Sequence, residues 1–69
     1  MAGSIYRVTE VIGTSPKSWE EATKNAVETA AKTLRDLRVG EVMKLDVTIE
    51  KGKVTAYRSR VTVSFKYEG

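Results

Sequence analysis

The sequence predicts an α+β domain: a β-α-β-β subunit in which a three-stranded antiparallel sheet is wrapped around one amphipathic helix. Two observations carry this prediction. One segment has apolar residues at helical spacing, whereas three other segments are rich in β-branched residues, and the last two of these alternate apolar with polar side chains. A chain of 69 residues has room for only one core, so residues 1–69 are predicted to form a single domain.

The first strand is predicted over Ile5 to Ile12, and it ends at the breaker cluster Gly13 to Pro16. A glycine and two hydroxyl residues before a helix offer amides and hydroxyls to a phosphate, and Lys17 adds a positive charge. The segment lacks the second glycine and the lysine spacing of a nucleotide-binding loop. An ordinary strand-to-helix turn is therefore the preferred interpretation, and a phosphate site is the alternative.

The helix is predicted to begin at Ser18, because Ser18 and Glu21 have the spacing of a capping box. In that motif the serine hydroxyl accepts from the glutamate amide, and the glutamate side chain reaches back. The apolar stripe runs from Trp19 to Leu37 and consists largely of alanine, which lets the helix lie close to a strongly curved sheet. We expect Trp19 to pack in the core.

Two longer strands are predicted over Val39 to Ile49 and Val54 to Tyr67, joined by the loop Lys51 to Lys53. A two-residue turn would place the apolar side chains of one strand on the same face as the arginines of the other. A three-residue loop instead places Val47 beside Tyr57, because side chains alternate between faces with a period of two. The sequence therefore predicts a three-residue loop.

The predicted register sets three further cross-strand pairs, which are Asp46 with Arg58, Lys44 with Arg60, and Met43 with Val61. Strict alternation places Glu41 on the apolar face, and it places Val42 on the outer face, which is turned away from the helix. Both strands exceed the usual length of about 5 to 6 residues, and one helix cannot cover them. We therefore expect other subunits to contact the uncovered surface.

The composition excludes several classes of function. Without cysteine or histidine, the chain has no disulfide, no usual zinc or iron site and no usual nucleophile–base pair, so we predict no catalytic residues and no enzyme activity. A net charge of +3 without a run of like charges argues against nucleic acid as a partner. No apolar stretch approaches the roughly 20 residues of a membrane span. We expect a soluble, cytoplasmic protein whose small core is supported by assembly with itself.

Three segments carry a resemblance to a known family. They are Tyr6-Arg-Val leading to Val11-Ile-Gly-Thr-Ser15, the helix end Lys32-Thr-Leu-Arg35, and Val61-Thr-Val-Ser-Phe65. In this order, in a chain of this length, they resemble the dodecins. The resemblance implies a homo-oligomer of twelve β-α-β-β subunits, which forms a hollow shell, binds flavins in pairs between subunits and stores them.

The resemblance also implies where a ligand would bind. Family members that bind flavin carry a tryptophan just after the helix, which stacks on the isoalloxazine ring, and a glutamine on the last strand. Val39 and Arg58 hold these positions here. Valine has no π face, and arginine cannot accept a hydrogen bond from the ring N–H. The sequence therefore predicts that FMN or riboflavin is not bound in the family's usual mode.

The neighbouring candidates for ligand contact are Arg38, Lys44 and Asp46. In a regular ladder Val39 and Arg58 lie on opposite faces of the sheet. A bulge or a neighbouring subunit therefore has to bring these two positions together.

A divalent cation is the alternative ligand. Calcium requires only oxygen ligands, and the candidate metal ligands are Glu41, Asp46 and Glu50, with Glu10 as a further acid. Their spacing matches no calcium loop, so copies from several subunits would have to form such a site. Three functions stay open: a shell that binds an unidentified small molecule, one that binds calcium, and one that holds flavin or a phosphate-bearing cofactor in an altered pocket.

Overall fold

The structure is a computed structural model that describes residues 5–67, and the side chains of residues 5–65. Its elements follow the predicted order: strand β1 (Ile5–Ser15), helix α1 (Trp19–Ala30), strand β2 (Leu37–Glu50) and strand β3 (Lys53–Tyr67). The three strands form one antiparallel sheet with the order β1-β3-β2. The predicted α+β fold is confirmed. In this part of the chain no helix has the length and apolar character that crossing a membrane requires.

Strand β1 continues through Ser15, three residues beyond its predicted end, because Gly13 and Ser15 pair with Ser59 and Tyr57 of β3. Helix α1 crosses directly above Gly13. A Cβ atom at this position would lie 2.1 Å from the carbonyl oxygen of Ala22. The glycine is therefore required by the close approach of helix and strand, and the predicted break falls after Ser15.

The start of α1 is capped by two serines. The Ser18 hydroxyl accepts a hydrogen bond from the Glu21 amide at 3.0 Å, as predicted. The Glu21 carboxylate, however, accepts a hydrogen bond from the Ser15 hydroxyl, and no bond back to the Ser18 amide is formed. The Ser15 oxygen also accepts from the Lys17 amide at 2.9 Å. The prediction that the Glu21 side chain reaches back to the Ser18 amide was thus wrong. The buried Ser15 hydroxyl of β1 binds the Glu21 carboxylate instead.

The helix ends at Ala30, earlier than the apolar stripe predicts. The amides of Thr33 and Leu34 still bond to the Ala30 carbonyl, which tightens the chain into turns. Asp36 then adopts a left-handed conformation with φ of 58°, and Leu37 enters β2. The helical spacing of Leu37 is therefore misleading, since its side chain belongs to the sheet.

The β2–β3 connection is a two-residue turn. Lys51 and Gly52 have φ of 51° and 77°, as in the tight turns that suit strand twist. Glu50 pairs directly with Lys53. The predicted three-residue loop was therefore wrong.

A bulge on β3 compensates for this shorter turn. Ile49 pairs with Val54, but Thr48 pairs with Ala56, so Thr55 is an extra residue on β3. A two-residue turn and a one-residue bulge together give the same parity as a three-residue loop. Consequently Val47 lies opposite Tyr57, as predicted.

A second bulge, on β2, reverses the faces of the residues before it. Val42 pairs with Val61 and Lys44 with Arg60, which leaves Met43 as the extra residue. The predicted pair of Met43 with Val61 was therefore wrong. Val42 faces the helix, on the inner face of the sheet, and Glu41 is on the outer face, opposite to both predictions.

The core is small and built from short side chains. Ala22, Ala26 and Ala30 of α1 are buried, and Ala26 packs against the buried Val61 and Val63 of β3. The helix packs mainly over β1 and β3, so the inner face of β2 stays largely uncovered. The radius of gyration is 14.4 Å, whereas a compact domain of this length has about 11 Å. The subunit is thus elongated, with apolar surface that it cannot cover by itself.

Trp19 bridges the helix start and the sheet. Its indole N–H donates to the Asp46 carbonyl at 3.0 Å, and its ring meets Tyr57 edge-on with centroids 5.1 Å apart. The side chain remains 38% exposed, so its predicted place in the core was wrong. The reason is that β2, against which it leans, has no second layer above it.

Candidate ligand-binding face

The outer face of the sheet is organised in rows, each with one residue from β1, β3 and β2 in that order. We name them the paired row, Thr14–Arg58–Asp46; the basic row, Ile12–Arg60–Lys44; the acidic row, Glu10–Thr62–Glu41; and the apolar row, Val8–Ser64–Val39. The regular spacing of the strands places neighbouring rows about 7 Å apart. Nearly all candidate ligand-binding residues therefore share this one face.

The paired row contains a bidentate ion pair. Arg58 donates from Nε and Nη2 to the two carboxylate oxygens of Asp46, at 2.7 and 2.8 Å. The hydrogen bond from Arg58 is the main cause that lowers the pKa of Asp46, with slight burial acting in the opposite direction. The same bond raises the pKa of Arg58. The predicted pairing is present, and it occupies the Nε and Nη2 donors of Arg58.

The basic row places two cations side by side. Lys44 lies directly opposite Arg60, as predicted. Nη1 of Arg60 is 3.8 Å from the carboxylate of Glu10, and both side chains are about half exposed. Lys44 makes no hydrogen bond and no ion pair with the residues that the structure describes. This part of the face therefore has an excess of positive charge.

A bulge puts Val39 and Arg58 on the same face. The extra residue Met43 reverses the parity of the part of β2 that precedes it, so Val39 faces outward opposite Ser64. Ser64 lies six positions after Arg58 on β3, which corresponds to about 20 Å along the strand. The structure therefore aligns the two family ligand positions but does not bring them together in one subunit.

The three predicted metal ligands lie apart along β2. Glu41 belongs to the acidic row, Asp46 is bound to Arg58, and Glu50 pairs with Lys53 beside the turn. Across residues 5–67, no three His, Cys, Asp or Glu side chains converge on a metal position. The structure does bring Glu41 and Glu10 into one row, on either side of Thr62. That combination depends on the register of β1 against β3 and on the bulge at Met43, which turns Glu41 outward.

The Gly13–Ser15 segment has packing and capping roles. The Ser15 hydroxyl is almost completely buried and already has Glu21 and backbone amides as partners. A phosphate at this position would meet the negative charge of Glu21. The structure thus favours the strand-to-helix turn over a phosphate site here.

Two grooves border the helix. One, of about 590 Å³, lies between α1 and β1 and includes Gly13, Asn25 and Thr29. The other, of about 330 Å³, lies between the start of α1 and β2, where Trp19 and Leu45 form its walls. The second groove continues onto the inner face of β2, which the helix leaves largely uncovered.

A family model described as Dodecin matches residues 5–68. The chain belongs to the dodecin family. It is similar to the protein named Calcium dodecin from Mycobacterium tuberculosis, with 45% identity over 64 residues, which cover 91% of this chain and 89% of that protein. It is also similar to the Dodecin of Thermus thermophilus, with 36% identity over 66 residues and 96% of each chain covered.

Solved dodecin structures share the fold along nearly the entire chain. The dodecin of Streptomyces coelicolor superposes with a TM-score of 0.91 and 40% identity, covering 100% of this chain and 99% of that one. The calcium dodecin of Mycobacterium tuberculosis, described as calcium-chelating with a novel calcium-binding site, superposes with a TM-score of 0.83 and 42% identity, covering 94% and 93%. The resemblance that the sequence motifs predicted is confirmed, and the nature of the ligand stays a prediction.

Proposed function

We propose that this protein is the subunit of a homododecamer that binds a small ligand in sites formed between subunits and has no catalytic activity. The observation that carries the proposal is the separation of Val39 and Arg58. They face the same way but lie about 20 Å apart along the sheet. Only residues from two copies of the chain can therefore complete one site of the family's kind.

The uncovered apolar surface supports assembly. Side chains of β2 that face the helix side, such as Val42 and Leu45, are nearly half exposed. They continue the groove beside Trp19. Contiguous exposed apolar surface on a small domain is typical of a protein interface, and a core of three alanines and two valines gives such a domain limited stability by itself.

Flavin in the family's usual mode is not supported by the residues present. Val39 is an exposed aliphatic side chain without a stacking surface, and Arg58 is held by Asp46. A titration of riboflavin with the assembled protein, followed by flavin fluorescence, tests this part of the proposal. We expect no quenching at micromolar protein, and saturable quenching would contradict it.

Calcium is the second candidate, because the chain is 45% identical to a protein named Calcium dodecin. On the outer face, Glu10 and Glu41 flank the Thr62 hydroxyl in the acidic row. Carboxylate and hydroxyl oxygens are suitable ligands for a hard cation. Asp46 is less suitable, since Arg58 already neutralises it, and Glu50 lies beside the turn, away from the other acids.

Calorimetric titration of chelator-treated protein with CaCl₂ tests this second candidate. We expect Glu41→Gln to weaken calcium binding at least about tenfold, since a charged ligand is lost. The matched variant Glu28→Gln removes an exposed acid of α1 and should leave binding unchanged. Absence of binding heat, or equal losses in both variants, would count against a calcium site in the acidic row.

A further inference from the structure

We propose that the basic row binds the phosphate group of a small ligand, with Lys44 and Arg60 as the principal contacts and Arg58 as a third donor. This inference rests on the proposed function, and it names the chemical class of the ligand. It differs from the Gly13–Ser15 alternative in using the outer face of the sheet. The starting observation is that Lys44 and Arg60 are directly opposed on neighbouring strands.

Two like charges in direct cross-strand register destabilise a sheet. Among the described residues Arg60 forms an ion pair with Glu10 alone, whose oxygen is 3.8 Å from Nη1, at the outer limit of such a contact. Lys44 has no hydrogen-bond or ion-pair partner within the described residues. The two cations are thus only partly compensated, by Glu10 at 3.8 Å and by Asp46 through space, and an oxyanion placed between them would relieve their repulsion.

Arg58 extends the cationic surface by one row. Its Nε and Nη2 are bound to Asp46, but Nη1 has no partner in the described part of the chain. Asp46 directs both carboxylate oxygens at Arg58, so Lys44 and Arg60 act on it only through space, as the smaller causes that lower its pKa. Three donors from three positions therefore surround one area of the face.

This arrangement suits a phosphate better than a carboxylate. Arginine offers a planar pair of N–H donors and lysine a compact charge, and both bind phosphate oxygens well. A phosphate has more acceptor oxygens and more charge than a carboxylate, so it can contact cations on two strands about 5 Å apart at the same time. Glu10, on the far side of Arg60, is the intrinsic competitor for the same guanidinium.

Because Glu10 competes with phosphate for Arg60, removing the charge of Glu10 should raise the affinity for phosphate, which can be tested. Calorimetric titration of the assembled full-length protein with pyrophosphate, at constant ionic strength set with KCl, measures the affinity. We expect Lys44→Gln to weaken binding about tenfold, as for loss of one charged hydrogen bond. We expect Glu10→Gln to tighten it several-fold, because Arg60 is released. The control Lys24→Gln removes an exposed cation of α1 and should change the affinity less than about twofold.

Several outcomes would overturn the inference. Equal losses in Lys44→Gln and Lys24→Gln would show diffuse charge attraction, and equal binding of sulfate and pyrophosphate would show a general salt effect. No binding heat from the assembled protein would also overturn it. Light scattering on each sample distinguishes failure of this inference from failure of the proposed function. An assembled protein that does not bind pyrophosphate refutes this inference alone, whereas a monomer refutes the proposed function.

Discussion

Asp46 and Arg58 are joined across strands β2 and β3 by two parallel hydrogen bonds of 2.7 and 2.8 Å. The backbone carbonyl of the same Asp46 accepts the indole N–H of Trp19 from the start of the helix. One residue therefore connects β2 to both of the elements that face it. Arg58, which the resemblance assigns to ligand contact, thus holds β2 and β3 together.

The first prediction concerns pH. Because the bond from Arg58 lowers the pKa of Asp46 from its ordinary 3.8, the pair contributes stability above that value. This contribution is lost as the pH falls through the lower pKa of the folded state. Melting temperatures of wild type and Asp46→Asn should therefore differ most above about pH 5, and they should converge below the ordinary carboxyl pKa.

The matched control for pH is Glu28→Gln, which removes an exposed carboxylate of α1 that makes no ion pair within the described residues. Its melting curve should follow that of the wild type at every pH. A constant gap between wild type and Asp46→Asn down to the lowest pH would contradict the role given to the pair.

The second prediction compares two glycines. A Cβ on Gly13 would lie 2.1 Å from the Ala22 carbonyl oxygen, whereas on Gly40 its nearest contact would be Val61 at 3.5 Å. Gly13→Ala should therefore lower the free energy of unfolding by at least about 1–3 kcal/mol, since helix and strand must separate. Gly40→Ala should leave it within about 1 kcal/mol of the wild type. Urea denaturation at fixed protein concentration measures both, and equal effects would argue against the close helix contact.

The third prediction restores the family's flavin contacts. The double variant Val39→Trp with Arg58→Gln supplies an indole for stacking and an amide for the polar edge of the ring. It should bind riboflavin at least about tenfold more tightly than the wild type, by fluorescence quenching. Val8, in the same row and about as exposed, provides the control, and Val8→Trp with Arg58→Gln should not bind. Equal binding by both double variants would contradict the assignment of position 39.

The fourth prediction concerns the turn. Lys51 holds φ of 51°, a left-handed conformation that asparagine adopts more readily than lysine. Lys51→Asn should raise the free energy of unfolding by about 0.5–1 kcal/mol. Lys53→Asn, two residues further in β3, should give no gain because asparagine is unfavourable in strands. A loss of stability in Lys51→Asn would count against the two-residue turn.

The order of the elements and the antiparallel sheet were predictable, because helical spacing and alternation are local properties of the sequence. The pairs Val47–Tyr57 and Asp46–Arg58 were also predictable, since parity demanded one of two registers. The correct parity came from the wrong loop, however. A two-residue turn followed by the bulge at Thr55 gives the same side-chain faces as a three-residue loop, so parity alone cannot distinguish these two connections.

The faces of residues before Lys44 were not predictable by alternation. The extra residue Met43 reverses the parity of everything preceding it, which moves Glu41 outward and Val42 inward. The same reversal turns Val39 outward, whereas the bulge at Arg38 lies before Val39 and affects only Leu37. Bulges arise from the twist and pairing of the complete sheet, so alternation within a single strand carries no signal for them. The candidate face could therefore be recognised only once the register was known.

Assembly is the central claim, and light scattering coupled to size-exclusion chromatography tests it most directly. Twelve chains of 7.7 kDa predict a single species of about 92 kDa at micromolar protein concentration. Val42 and Leu45 would be covered in that species, and Val39 of one copy would meet Arg58 of another. A single species with the mass of one chain under the same conditions would contradict the account.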